Sequence, residues 1–146
     1  MDPTVKQKNK RTLLYQVLLF VIFFALAFFG TKFLFKKDIG DQLKEVSTEM
    51  NKSLPMNVDA ETRLDGTTFI APKTMQYNYT ALSTNADSLS LDREDLINQL
   101  QSNTQNLLDT SPAMKLFREN DVTLKYNYKD KNGKALIDFS INPTKK

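Results

Sequence analysis

Hydrophobic residues along this chain follow three patterns in turn: a continuous run, a helical stripe, and an alternation of every second residue. The run is Leu13 to Phe35, LLYQVLLFVIFFALAFFGTKFLF, and Leu13 to Thr31 is nineteen residues without a charge. At about 1.5 Å per residue a helix of that length crosses roughly 30 Å of hydrocarbon, with every backbone group bonded internally. The sequence predicts a membrane helix over 12–37, preceded by a polar tail over 1–11 and followed by a domain over 38–146. Six of the nineteen residues are aromatic and Gln16 is the one strongly polar side chain, so the helix offers no ion path or proton relay. It reads as an anchor.

Ile39, Leu43, Val46 and Met50 then recur at helical spacing within Asp38 to Leu54, and Pro55 stops the pattern. Packed on a sheet, this stripe is a first domain helix; left outward, it is a short coiled coil that pairs two copies, although it holds fewer than two heptads. Period-two runs follow over Thr62 to Ala71 and Thr74 to Leu82, divided by Pro72-Lys73, which predicts a hairpin. In its second strand Met75, Tyr77, Tyr79 and Ala81 share one face, and Gln76, Asn78 and Thr80 the other. Asp92 and Asp95 open a helix carrying Leu96, Leu100 and Leu107 on one stripe with Ile97 and Leu108 beside it. Ser111-Pro112 caps a further short helix with Met114 and Phe117 inward, ending near Asn120. A second hairpin pairs Val122 to Tyr128 with Ala135 to Ile141 across a turn containing Asn132-Gly133, a strong hairpin signal. The order α-β-β-α-α-β-β predicts an α+β domain, its four-stranded, mainly antiparallel sheet covered by helices on one face.

Charge sharpens this division. Residues 1–37 hold seven bases and one acid, whereas 38–146 hold thirteen bases and sixteen acids. The basic surplus therefore flanks the apolar run, where lipid phosphates explain it, and no nucleic acid is expected as a partner. Lys6, Lys8, Lys10 and Arg11 against Lys32, Lys36 and Lys37 favour a cytoplasmic N-terminus, with the domain on the far side. The signal-like N-terminus and the absence of cysteine agree with that orientation. A rival is cleavage after Ala25-Leu26-Ala27, but this would leave Phe28 to Phe35 as an apolar new terminus, so an uncleaved anchor is preferred.

The chain has no histidine and no cysteine, which removes the usual general base, the thiolate nucleophile and the commonest metal ligands. No cofactor and no metal are expected. Two groups of residues invite a functional reading. Asp59, Glu61 and Asp65 surround Arg63 and would serve a glycosidase-type acid/base pair if buried and correctly spaced, or a surface clasp otherwise. The tripeptide Tyr-Asn-Tyr occurs at 77–79 and 126–128, hinting at an internal repeat. Its four tyrosines, Tyr77, Tyr79, Tyr126 and Tyr128, would form either a platform for a sugar or peptide or part of the sheet's core.

The run Leu54-Pro55-Met56-x-Val58-Asp59-x-Glu61-Thr62-Arg63-Leu64-Asp65, with Tyr77-x-Tyr79, Ser111-Pro112-x-Met114 and Tyr126-x-Tyr128, resembles a family of small bacterial envelope proteins without an assigned activity. Many members of that family carry a cysteine pair that this chain lacks, so no disulfide carries over. The resemblance implies a bacterial source and an exported domain. The expectation is a single-pass, non-catalytic adaptor of the bacterial inner membrane, its partners membrane lipid and another envelope protein, with self-association through Ile39, Leu43, Val46 and Met50 as a further option. The contrasting readings are a membrane-bound immunity protein, an envelope hydrolase using Asp59, Glu61 or Asp65, and a regulator facing the cytoplasm.

Overall fold

The structure, a computed structural model, describes residues 38–88 and 93–145. The expected tail and membrane helix over 1–37, and the helix-opening Asp92, lie outside the described residues; among those described, no helix is long and apolar enough to cross a membrane. The domain opens with helix α1, Ile39–Asn51, capped by Asp38, whose carboxylate accepts from the Gly40 amide at 3.0 Å. Ile39, Leu43, Val46 and Met50 are all buried beneath it against the sheet. The stripe is thus spent within the domain, which corrects the option of pairing two copies through these four residues.

The sheet has five strands in the order β1-β2-β3-β4-β5: Met56–Asn57, Thr62–Ile70, Thr74–Ala81, Thr123–Asp130 and Ala135–Ile141. Between β3 and β4 the chain passes through a 3-10 turn at Ala86–Ser88, helix α2 over Arg93–Thr110, a second 3-10 turn at Pro112–Met114 and helix α3 over Lys115–Glu119. The expected four-stranded, mainly antiparallel sheet is corrected in two respects. A two-residue edge strand, β1, precedes the first hairpin, and the central pair β3/β4 is parallel. A crossover through α2 and α3 returns the chain to the end of the sheet from which β3 began, so β4 has to run beside it in the same direction.

All three described helices occupy one face, α1 over β2 and β3, α2 over β5, and α3 against α2. On that face lie Leu64, Met75, Tyr77, Tyr79, Leu124, Tyr126, Tyr128, Ile137, Phe139 and Ile141, each buried. Within α2 the buried positions are Leu100, Thr104 and Leu108, so Leu108 takes the place that the sequence pattern gives to Leu107, and Thr104 fills the turn between it and Leu100. The Thr104 hydroxyl donates to the Leu100 carbonyl at 2.6 Å, which satisfies the polar group and lets a threonine sit in the core.

Candidate functional site

The two Tyr-Asn-Tyr segments meet in the middle of the sheet. Because β3 and β4 are parallel, Tyr77 pairs with Tyr126, Asn78 with Asn127 and Tyr79 with Tyr128. One copy occupies the second strand of its hairpin and the other the first strand of the next. The identity is therefore a ladder across a seam, and the hint of a repeated hairpin is not supported.

Alternation sends the tyrosines to the helix-covered face and the asparagines to the opposite one. Tyr77 stacks on Tyr126 with centroids 5.4 Å apart, Tyr79 on Tyr128 at 4.8 Å, and Tyr126 on Phe139 at 5.0 Å. All four tyrosines are at most 4% exposed, so in this conformation their rings present no platform to a sugar or peptide in solution. Burial pushes their phenols well above the ordinary value of 10.0, and neighbouring tyrosines add to the rise at Tyr79 and Tyr126. The hydroxyls of Tyr77, Tyr126 and Tyr128 have no hydrogen-bond partner among the described residues.

The four residues singled out around Arg63 separate into two places. Asp59 shapes the turn between β1 and β2: one carboxylate oxygen accepts from the Glu61 amide, and the other is buried without a partner among the described residues. Glu61 adds its carbonyl to the Leu82 amide at 2.7 Å, tying this turn to the end of β3. Arg63 and Asp65 instead join the uncovered face, where the Arg63 guanidinium and the Thr80 hydroxyl both donate to the Asp65 carboxylate. Among the described residues no group of acids is placed to hold a metal ion.

The uncovered face is the one surface of the sheet that the described helices leave free. Its central row is Gly66, Asn78, Asn127 and Asp138, one residue from each of β2 to β5. The Asn78 carbonyl oxygen accepts from the Gln76 amide at 2.9 Å and from the Asn127 amide at 3.4 Å, while the Asn78 amide donates to the Gly66 carbonyl at 3.5 Å. Thr68, Gln76, Lys125 and Ser140 form the row on one side, and Arg63, Thr80 and Lys129 the row on the other. Lys125 and Lys129 have no ion pair among the described residues. Gln76, Asn78, Lys125 and Asn127 are half-buried although no described helix covers them, because neighbouring side chains shield one another. Such an array holds its donors and acceptors in place before any partner arrives, so little further ordering accompanies contact with a polar surface. Alternation along the sequence identifies Gln76, Asn78, Lys125 and Asn127 as the wet faces of their strands; what it does not supply is the register that makes them one surface.

At the end of the sheet where β4 finishes, Asp130 is buried and accepts from the amides of Ala86 at 3.1 Å, Asn132 at 2.8 Å and Lys134 at 2.9 Å. These bonds, led by that from Ala86, hold its carboxyl below the ordinary value of 3.8. Asp130 therefore joins the last turn of the sheet to the segment leading into α2.

Among solved structures, two bacterial proteins share this architecture. One is a protein of Pseudomonas aeruginosa assigned as secreted, with a TM-score of 0.54 and 12% identity, over 70% of this chain and 88% of that one. The other is the pilotin of the type 2 secretion system of Vibrio vulnificus, with a TM-score of 0.51 and 9% identity, over 70% of this chain and 86% of that one. At such identities the likeness is one of fold. No curated protein matches the sequence. A family model does match, over residues 39–137, which is nearly the whole domain from the first turn of α1 to the middle of β5, and the chain belongs to the family described as Domain of unknown function (DUF8479).

Proposed function

We propose that this protein is a single-pass, membrane-anchored adaptor of the bacterial envelope whose exported domain binds another envelope protein through the uncovered face of its sheet, without catalysing a reaction. The observation that carries the reading is the one-sided sheet. Every described helix packs on the tyrosine face, and the opposite face keeps a cross-bonded amide array flanked by Lys125, Lys129 and the Arg63–Asp65 pair. The uncharged run at 13–31 supports the anchor, and the fold shared with a secreted protein and a pilotin supports an exported domain. Tethering raises the effective concentration of the domain toward a partner at the same membrane, so modest affinity at the face suffices.

The test places a photo-crosslinking amino acid at Asn127 or Lys125, and at the exposed helix positions Asn98 or Ser102, in living cells. The reading expects one recurring protein adduct from the sheet positions and none from the helix. Equal labelling from both faces overturns the proposed surface. The non-catalytic part is tested by replacing Asp59, Glu61 and Asp65 together with alanine. Loss of a wall- or lipid-degrading turnover by this variant, with the fold intact by circular dichroism, would favour the hydrolase instead.

A further inference from the structure

The two ends of the sheet differ in character, and the difference coincides with where the chain enters the domain. At one end lie the start of α1, the β2–β3 turn, the start of β4 and the end of β5. Thr74 pairs with Thr123, Leu124 with Ile141, and the Thr123 amide donates to the Lys73 carbonyl at 2.9 Å. The first turn of α1 rests on this turn so closely that a methyl group added at Gly40 would sit 3.4 Å from the Pro72 carbonyl oxygen and 3.5 Å from the Phe69 ring. The turn carries Ile70, 40% exposed, followed by exposed Ala71 and Pro72 and by Lys73. The opposite end carries Asp130, Lys131, Asn132, Gly133, Lys134 and Asp87. The other large apolar side chain exposed to the same extent as Ile70, Met56, lies toward this end but on the outer edge strand β1, level with Leu64, Tyr79 and Tyr128.

Six residues, Lys32 to Lys37, separate the uncharged run from Asp38, and three of them are Phe33, Leu34 and Phe35. Such a segment reaches at most about 20 Å when extended and about 9 Å when helical. Strands of eight residues reach some 26 Å away from the turn, so the two ends stand at different heights above whatever holds residue 38. We infer that the β2–β3 turn, Ile70 to Lys73, is a second contact with the membrane: Ile70, Ala71 and Pro72 enter the headgroup region of the bilayer and Lys73 meets lipid phosphate. The inference rests on the proposed anchor and adds an orientation to it. Held at both the start of α1 and the adjacent turn, the domain stands upright, and the uncovered face of the sheet is presented sideways to partners in the same membrane.

The chain contains no cysteine, so Ile70→Cys, Ala71→Cys and Asn132→Cys variants of the full-length protein each accept one fluorophore. Each is reconstituted into phosphatidylethanolamine–phosphatidylglycerol vesicles containing a doxyl-labelled lipid quencher, and bound protein is isolated by flotation. The expected result is quenching at positions 70 and 71 and none at 132. Floated protein with no quenching at either 70 or 71 overturns the second contact while leaving the anchor intact. Failure of the protein to float with the vesicles removes the anchor, and the inference falls with it.

Discussion

The tyrosines of the central seam carry two opposed contributions in one side chain. Their rings fill the core, while three of their hydroxyls are buried with no partner among the described residues. Replacing Tyr126 by phenylalanine is expected to leave urea-denaturation stability within about 1 kcal/mol of the parent, on the stabilising side, because an unpaired buried hydroxyl is a cost. Tyr126→Ala removes the ring as well and is expected to cost about 3–5 kcal/mol. Burial raises the folded-state pKa of all four phenols above 10.0, so the stability they confer is complete below pH 10 and is lost as the pH rises beyond it. Tyrosinate absorbance in an alkaline titration should therefore appear for these four together with unfolding, and an ordinary gradual titration near pH 10 for all of them would contradict it. Asp130 works in the opposite sense. Its folded pKa is depressed, so its contribution is present above the unfolded value near 3.8 and fades as the pH falls below it. Asp130→Asn should lower the melting temperature near neutrality and flatten the acid limb of the stability profile. Alternation in the sequence was enough to assign each tyrosine to a face. The role of Asp130 was not legible, because an aspartate beside a turn looks like any solvated acid until Ala86 is brought to it.

At the level of elements, the junction of α1 with β2 shows what a local reading misses. Asn51, the last residue of α1, donates from its amide to the Thr67 carbonyl and accepts the Thr67 amide, both at 2.8 Å. Beside it, the Ser47 and Thr67 hydroxyls share a bond at 3.0 Å. The clasp falls where β2 changes register between Leu64 and Gly66, and it takes over backbone bonds next to the irregularity. Asn51→Ala is expected to cost about 1–2 kcal/mol, read by chemical denaturation, since it leaves two backbone groups to find other partners. In the last hairpin Gly133 has φ of 81°, and Gly133→Ala should cost about 1 kcal/mol. Both hairpins and both main helices could be read from periodicity and turn residues, whereas the cap at Asp38 was not read, since the apolar run just before it gives no sign of a new helix start. Strand β1 could not, since two residues carry no period and Pro55 immediately before them signals a break.

For the whole molecule, the order of elements apart from β1 was legible and the pairing of hairpins was not. Two predicted hairpins say nothing of whether their inner strands run together or oppositely; that depends on where α2 and α3 return the chain. The candidate surface shares this origin, since its rows exist only once β3 and β4 are in register. With the photo-crosslinking residue kept at Asn127, Lys125→Glu combined with Lys129→Glu is expected to abolish crosslinking from the sheet face, while changing stability by no more than about 0.5 kcal/mol. A loss of crosslinking accompanied by unfolding would say nothing for the surface, so the melting temperature of the variant is measured alongside.

The parallel seam also dictates how the polypeptide has to be made. When β3 has emerged from the ribosome, its inner edge is a strand with one tyrosine-rich face and open backbone groups, and its mate does not exist until Thr123 and the residues after it have followed. The N-terminal half is therefore a sticky intermediate that waits on the C-terminal half. Truncations ending before β4 should accumulate as aggregates or be degraded, and the nascent chain is a natural client for whatever chaperones attend its route.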